Sequence, residues 1–322
     1  MRPALLVAVA IGAGCSRGGG DSRSRLAVGE ERPAPGETLD LEHPETALGL
    51  SAEEVARRIG SFEWTGAVEW TAARAGADAE RVRVTEEHGL RQLATGDFEV
   101  RAEVDPGLGP GSARGKQVIF AHGQTFARAQ PAPFRARPTD RGRDARRFRE
   151  DSFGLARSLL ALCGPALRLE PGGTDQALGR EARRYRFSLS PAAATEPPLA
   201  QPAGVPAPPD PDTRRRRAFL AGRVPVSAEG ELLLDAVTGV PLRVRLSAAF
   251  TTRAQGDVRT TVELSAQLTA FGAAVASIAA PEGALPDERK PAGPSTALEA
   301  AGLKRRGEEA RDAGEPSEEP AE

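Results

Sequence analysis

Two stretches in the C-terminal third alternate apolar and polar positions with a period of two. In the first, Leu242, Val244, Leu246, Ala248 and Phe250 fall on one side, and Arg243, Arg245 and Ser247 on the other. Val258, Thr260, Val262, Leu264, Ala266 and Leu268 repeat the pattern after a turn at Gln255-Gly256-Asp257. That period is what a strand with one wet face requires. A third strand, Glu231–Asp235, precedes them through Ala236-Val237-Thr238-Gly239-Val240-Pro241. Gly239 suits a turn position with positive φ, and Pro241 has no N–H to give a ladder, so both belong at the bend. Residues 231–271 therefore predict an antiparallel meander whose apolar face needs a cover.

The same period starts at Phe62, where Phe62, Trp64, Gly66, Val68 and Trp70 share one face against Glu63, Thr65 and Glu69. Arg81–Thr85 predicts a second strand ending at a tight turn at His88-Gly89, and Leu90–Ala94 a third. Phe98, Val100, Ala102 and Val104 mark a fourth, Lys116–Ala121 with Val118 and Phe120 a fifth, and Thr125–Arg128 a sixth. Short strands joined by turn residues predict a meander and not alternating β-α-β units. Leu167–Glu170 and Glu181–Leu189 add further strands.

Only two segments carry a helical period. Ser51 can cap a short helix through Ile59, with Glu54 completing a capping box and Leu50, Val55 and Ile59 turned inward. Asp144–Leu162 predicts one longer helix, with Phe148, Leu155, Leu159 and Leu162 on a stripe and Gly164-Pro165 as its stop. Cys163, at its apolar end, reads as a small buried hydrophobe. The fold class is mainly β with few helices (α+β).

Composition sets the boundaries. Of the 322 residues, 16–49 are poor in aliphatic side chains and read as a flexible tether. Residues 190–213 form a Pro- and Ala-rich insertion that interrupts the sheet, and 282–322 read as a disordered acidic tail, leaving 50–281 as a single domain. The basic run Arg214–Arg217 reads as a solvated charge cluster, with anionic headgroups as the alternative contact. Net charge is −2 with both signs interspersed, and aromatic content is 4 %, so nothing favours nucleic acid as a partner.

The N-terminus changes that picture. Arg2 precedes the apolar run Ala4–Ala13, too short to span a bilayer and suited to a signal peptide. Gly12-Ala13-Gly14-Cys15-Ser16 follows and resembles the lipobox of bacterial lipoproteins, with Gly12 where that motif usually has an aliphatic residue. The resemblance implies a 1–15 signal peptide, lipidation at Cys15 and an anchor in the cell envelope; Ser16 in place of Asp is similar to the outer-membrane sorting pattern, with the protein facing the periplasm. An ordinary secretory signal with an incidental cysteine is the alternative.

No constellation of reactive side chains assembles in the sequence. His43, His88 and His122 lie in the tether and at two turns, without metal-ligand spacing. There is no Gly-x-Ser-x-Gly elbow. Glu86-Glu87 and Asp210/Asp212 read as solvated carboxylates on turns and linkers. Neither an enzyme nor a cofactor is expected.

The order of parts resembles the LolA/LppX-like superfamily of bacterial envelope proteins, which includes lipoprotein and lipid carriers and the N-terminal domain of RseB. The resemblance rests on Leu232-Leu233-Leu234-Asp235-Ala236-Val237-Thr238-Gly239-Val240-Pro241-Leu242-Arg243 and on Leu268-Thr269-Ala270-Phe271-Gly272 leading to Ala280-Pro281. It implies a strongly curved antiparallel sheet, a half-barrel, closed by a helical lid over an apolar cavity. Mapped onto this chain, the wall would comprise Trp64, Val68, Trp70, Phe98, Val100, Phe120 and Val244. Phe148, Leu155 and Leu159 would face it from the lid. The expected ligand is a lipid or the acyl chain of a lipoprotein; the alternative is a structural or regulatory lipoprotein acting on an envelope protein partner.

Overall fold

A computed structural model describes residues 43–74, 77–138, 140–190, 219–252 and 258–286. Cys15, the tether up to residue 42, the insertion from residue 191, Arg214–Arg217 and the tail beyond 286 lie outside the described residues.

Among the described residues, eleven strands form one sheet. β1 (Phe62–Arg74), β2 (Ala77–Gln92), β3 (Phe98–Asp105), β4 (Arg114–Ala121), β5 (Gln124–Gln130) and the two-residue β6 (Arg135–Ala136) run as a meander. β7 (Leu167–Ala177), β8 (Arg180–Leu189), β9 (Arg223–Asp235), β10 (Pro241–Thr252) and β11 (Val258–Phe271) make a second meander. The two join through β1 and β11, giving the order β6-β5-β4-β3-β2-β1-β11-β10-β9-β8-β7 with every named pair antiparallel. β6 and β7 end the sheet without meeting, so it does not close into a barrel.

The sheet's curl follows from its core. A single cluster of buried side chains runs from Val118 and Phe120 on β4 to Tyr185 and Phe187 on β8. Those strands are seven spacings apart, about 34 Å if flat. Three short helices, α1 (Ala52–Ile59), α2 (Arg143–Phe153) and α3 (Leu155–Cys163), cover that face. α2 packs on β2, β3 and β4, α3 on β9, and the two helices touch each other, so the sheet must wrap around them. Register shifts at Glu63/Trp64, Ala72/Arg74 and Ala249/Phe250 add local twist in the same strands. This half-barrel with a helical lid is the architecture implied by the resemblance.

Several local expectations change. His88-Gly89 is no turn: β2 continues through it for 16 residues and bends only after Gln92, where Gly96 donates to Leu93 O at 3.0 Å. A long strand paired on both sides, with β1 and β3, overrides a weak turn signal. The single helix predicted over Asp144–Leu162 divides at Gly154 (φ −75°, ψ 9°). A Cβ at Gly154 would stand 2.8 Å from Glu150 O, a tightening that only glycine accepts. β9 begins at Arg223, not Glu231, because β10 pairs with it back to that residue. Residues Pro44–Gly49, placed in the tether by composition, form a 3-10 helix that buries Ala47 in the core. Leu285, placed in the tail, bridges to Arg135 on β6, and Ile278 packs on Ile119 and Phe126.

The capping box forms as read: Ser51 N donates to Glu54 Oε2 at 2.8 Å, and Glu54 N to Ser51 Oγ at 3.2 Å.

Candidate functional site

Side-chain alternation and register fix the concave face row by row. One row holds Trp64, Leu90, Val100, Val118 and Leu268 in direct register. The next holds Gly66, His88, Ala102, Ala266, Val244 and Leu232. A third holds Val68, Glu86, Val104, Leu264, Leu246 and Gly230. Trp70, Val84, Val262, Ala248 and Ala228 follow. The middle of the face is thus unusually rich in glycine and alanine. Small residues there leave volume between sheet and lid.

Lid side chains and tryptophan rings fill that volume. Phe153 of α2 sits 5.7 Å from the Phe62 ring and 5.6 Å from Trp64. A Cβ at Gly66 would lie 2.5 Å from the Trp64 ring and 3.2 Å from Leu155 Cδ2, so the missing side chain is what lets ring and lid meet. A crevice of about 30 Å³ persists between Trp64, Phe153, Ala156, Val244 and Ala266, room for about one water. All ten sequence-derived wall and lid positions lie buried in this one cluster: Trp64, Val68, Trp70, Phe98, Val100, Phe120, Phe148, Leu155, Leu159 and Val244.

A buried arginine holds the lid. Arg149 of α2 is 4 % exposed, stacks 4.8 Å above the Phe98 ring and donates to Gln92 Oε1 at 3.0 Å. Its other nitrogens pair with Glu150 at 2.7 Å and approach Glu53 at 3.8 Å. Glu150 in turn accepts from Ala52 N at 3.1 Å, tying α2 to the first turn of α1. At the far end of α3, Arg223 donates to Leu162 O at 2.8 Å, a cation at a helix C-terminus. Neither arginine was singled out by sequence, because each finds its partners across the fold.

On β1 and β2, three polar groups of the concave face carry atoms with no hydrogen-bond partner. Trp70 Nε1, Glu86 Oε1 and both ring nitrogens of His88 are buried without one. His88 Nε2 stands 3.6 Å from Glu86 Oε2, too far for a hydrogen bond, with both side chains more than nine-tenths buried. Each such orphan costs about 1–3 kcal/mol. Glu86 and Glu87, read as solvated turn residues, are instead neighbours in β2 on opposite faces, one buried and one exposed.

On the outer face, Ala67, Glu69, Glu87, Arg245, Ser247 and Glu263 border a trough of about 600 Å³. It is open to solvent and lined by carboxylates, so an apolar chain laid there would stay wet. The concave face is the candidate site. Among the described residues, no group of three or more His, Cys, Asp or Glu side chains could hold a metal ion, and no helix is long and apolar enough to cross a membrane.

No family model and no curated protein matches this chain. Solved structures similar to it include the lipoprotein LppX of Mycobacterium tuberculosis, at 8 % identity and a TM-score of 0.23, covering 72 % of this chain and 96 % of that one. A LolA superfamily protein from Nitrosomonas europaea is similar at 8 % identity and a TM-score of 0.20, covering 71 % and 94 %. A DUF1329 family protein from Desulfovibrio piger is similar at 7 % identity and a TM-score of 0.21, covering 70 % and 92 %. At these scores the likeness carries no argument, and the site rests on its own geometry.

Proposed function

We propose that this chain is an envelope lipoprotein, anchored through Cys15 to the outer membrane and facing the periplasm, that holds an apolar ligand between its concave sheet face and the α2–α3 lid. The ligand is a lipid or the acyl chain of a lipoprotein. The observation that carries the reading is the pairing of a glycine- and alanine-rich concave face with a lid split at Gly154 and fastened by one buried arginine. Side chains of the lid occupy the volume that an acyl chain would take, and moving α2 and α3 opens the part of the face that they cover. The chain carries its ligand and does not transform it. Purification of the full chain followed by mass spectrometry of extracted lipid tests the reading; a protein that is consistently empty and binds no lipid probe overturns it. Cys15→Ala tests the anchor, with release from the membrane fraction expected and unchanged membrane association refuting it.

A further inference from the structure

Trp70, Glu86 and His88 sit where an apolar cavity wall would ordinarily carry aliphatic side chains. Glu86 and His88 are two apart on β2 and share the concave face with the buried Val84 and Leu90. Their register partners are Val68 and Val104 for Glu86, and Gly66 and Ala102 for His88, so small or aliphatic residues flank both. Trp70 is opposite Val84, a diagonal neighbour of Glu86 on the adjoining strand and within reach of an indole. The three together offer a fixed donor in the indole N–H, a carboxylate acceptor, and an imidazole that supplies one of each when neutral. No protein group satisfies the indole nitrogen, Glu86 Oε1 or either imidazole nitrogen.

A hydroxyl group matches this set, because it donates one hydrogen bond and accepts two. A bare methylene chain matches none of it. We propose that the Trp70–Glu86–His88 cluster is a polar anchor within the lipid site, selecting amphiphiles whose chain or glycerol portion places a hydroxyl beneath the lid. This inference rests on the lipid-carrier reading above. The anchor also gives the bound chain a fixed depth: the apolar row of Trp64, Leu90 and Leu268 lies on one side of Glu86 and His88, and the row of Trp70, Val262 and Ala248 on the other.

The test compares stearate with a mid-chain hydroxystearate for binding to the purified full chain, by displacement of a fluorescent fatty-acid probe. The hydroxylated chain is expected to bind at least about tenfold tighter, the equivalent of one well-made buried hydrogen bond. In Glu86→Leu/His88→Leu the ratio should fall to near one while stearate still binds. Trp70→Phe, which keeps a ring and removes the N–H, should reduce the ratio several-fold and guards against a double variant that fails to fold. Equal binding of both probes by the unaltered protein, or a ratio unchanged in the variants, overturns the anchor and leaves the carrier reading standing. Binding of neither probe overturns both.

Discussion

The end of β9 offers a perturbation whose size can be worked out. Asp235 is 1 % exposed and accepts at Oδ1 from Thr238 N at 2.7 Å, Thr238 Oγ1 at 2.9 Å, Val237 N at 3.1 Å and Arg180 Nη2 at 3.0 Å. Arg180 Nε bonds Oδ2. Burial alone would raise this carboxyl, but Arg180 and then Thr238 outweigh it and hold the pKa at about 2 against an ordinary 3.8. A folded-state pKa below the unfolded one adds stability that is fully present above the unfolded value and lost as pH falls through the folded value. The shift corresponds to about 2 kcal/mol at neutral pH, with about half of that left at pH 3. Asp235→Asn keeps the shape and one acceptor but removes the charge. Chemical denaturation of the full chain should therefore show a loss of about 2–3 kcal/mol at pH 7, shrinking by about 1 kcal/mol at pH 3. A loss below about 0.5 kcal/mol at pH 7 would refute the reasoning, as would a gap that does not narrow in acid. The site matters beyond its turn, because Arg58 of α1 donates to Thr238 O at 2.8 Å and so docks the first helix on this hairpin.

Three further outcomes follow from the same geometry. Gly66→Ala forces a methyl to 2.5 Å from the Trp64 ring and should cost about 1–3 kcal/mol, with a change in tryptophan fluorescence as the ring is displaced; an unaltered spectrum and stability would contradict the packing. Arg149→Met removes the lid's clasp and orphans Gln92 Oε1, so stability should fall by about 1–3 kcal/mol while a fluorescent acyl probe binds faster in stopped-flow mixing; slower or unchanged uptake would separate the clasp from lid opening. Burial pushes the Cys163 thiol up to about 11, with Arg223 opposing, so it should resist a thiol reagent at pH 8 in the folded protein and react only on unfolding; rapid labelling of the native chain would disprove its burial.

Only local features were legible in the chain alone. A period of two needs only neighbouring residues, so β1, β3, β4, β10 and β11 could be read with their buried faces, including Thr260 at an apolar position of β11. The turn chemistry of Asp235, Thr238 and Gly239 was legible for the same reason; Gly239 has φ +68°, and Asp235 accepts from residues two and three positions on. The ten positions expected to form wall and lid lie buried in the core because each is apolar and in phase with its element. The tertiary structure decided what depends on partners distant in sequence. Pairing on both sides carried β2 straight through His88-Gly89, and that pairing placed Glu86 and His88 inside the half-barrel instead of at a solvated turn. Arg180 reaches Asp235 across 55 residues and Arg149 reaches Gln92 across 57, distances over which no periodic pattern carries information. The curl of the sheet belongs to the same class: alternation says that a face must be covered, and only the joining of two meanders through β1 and β11 brings β4 and β8 around one lid.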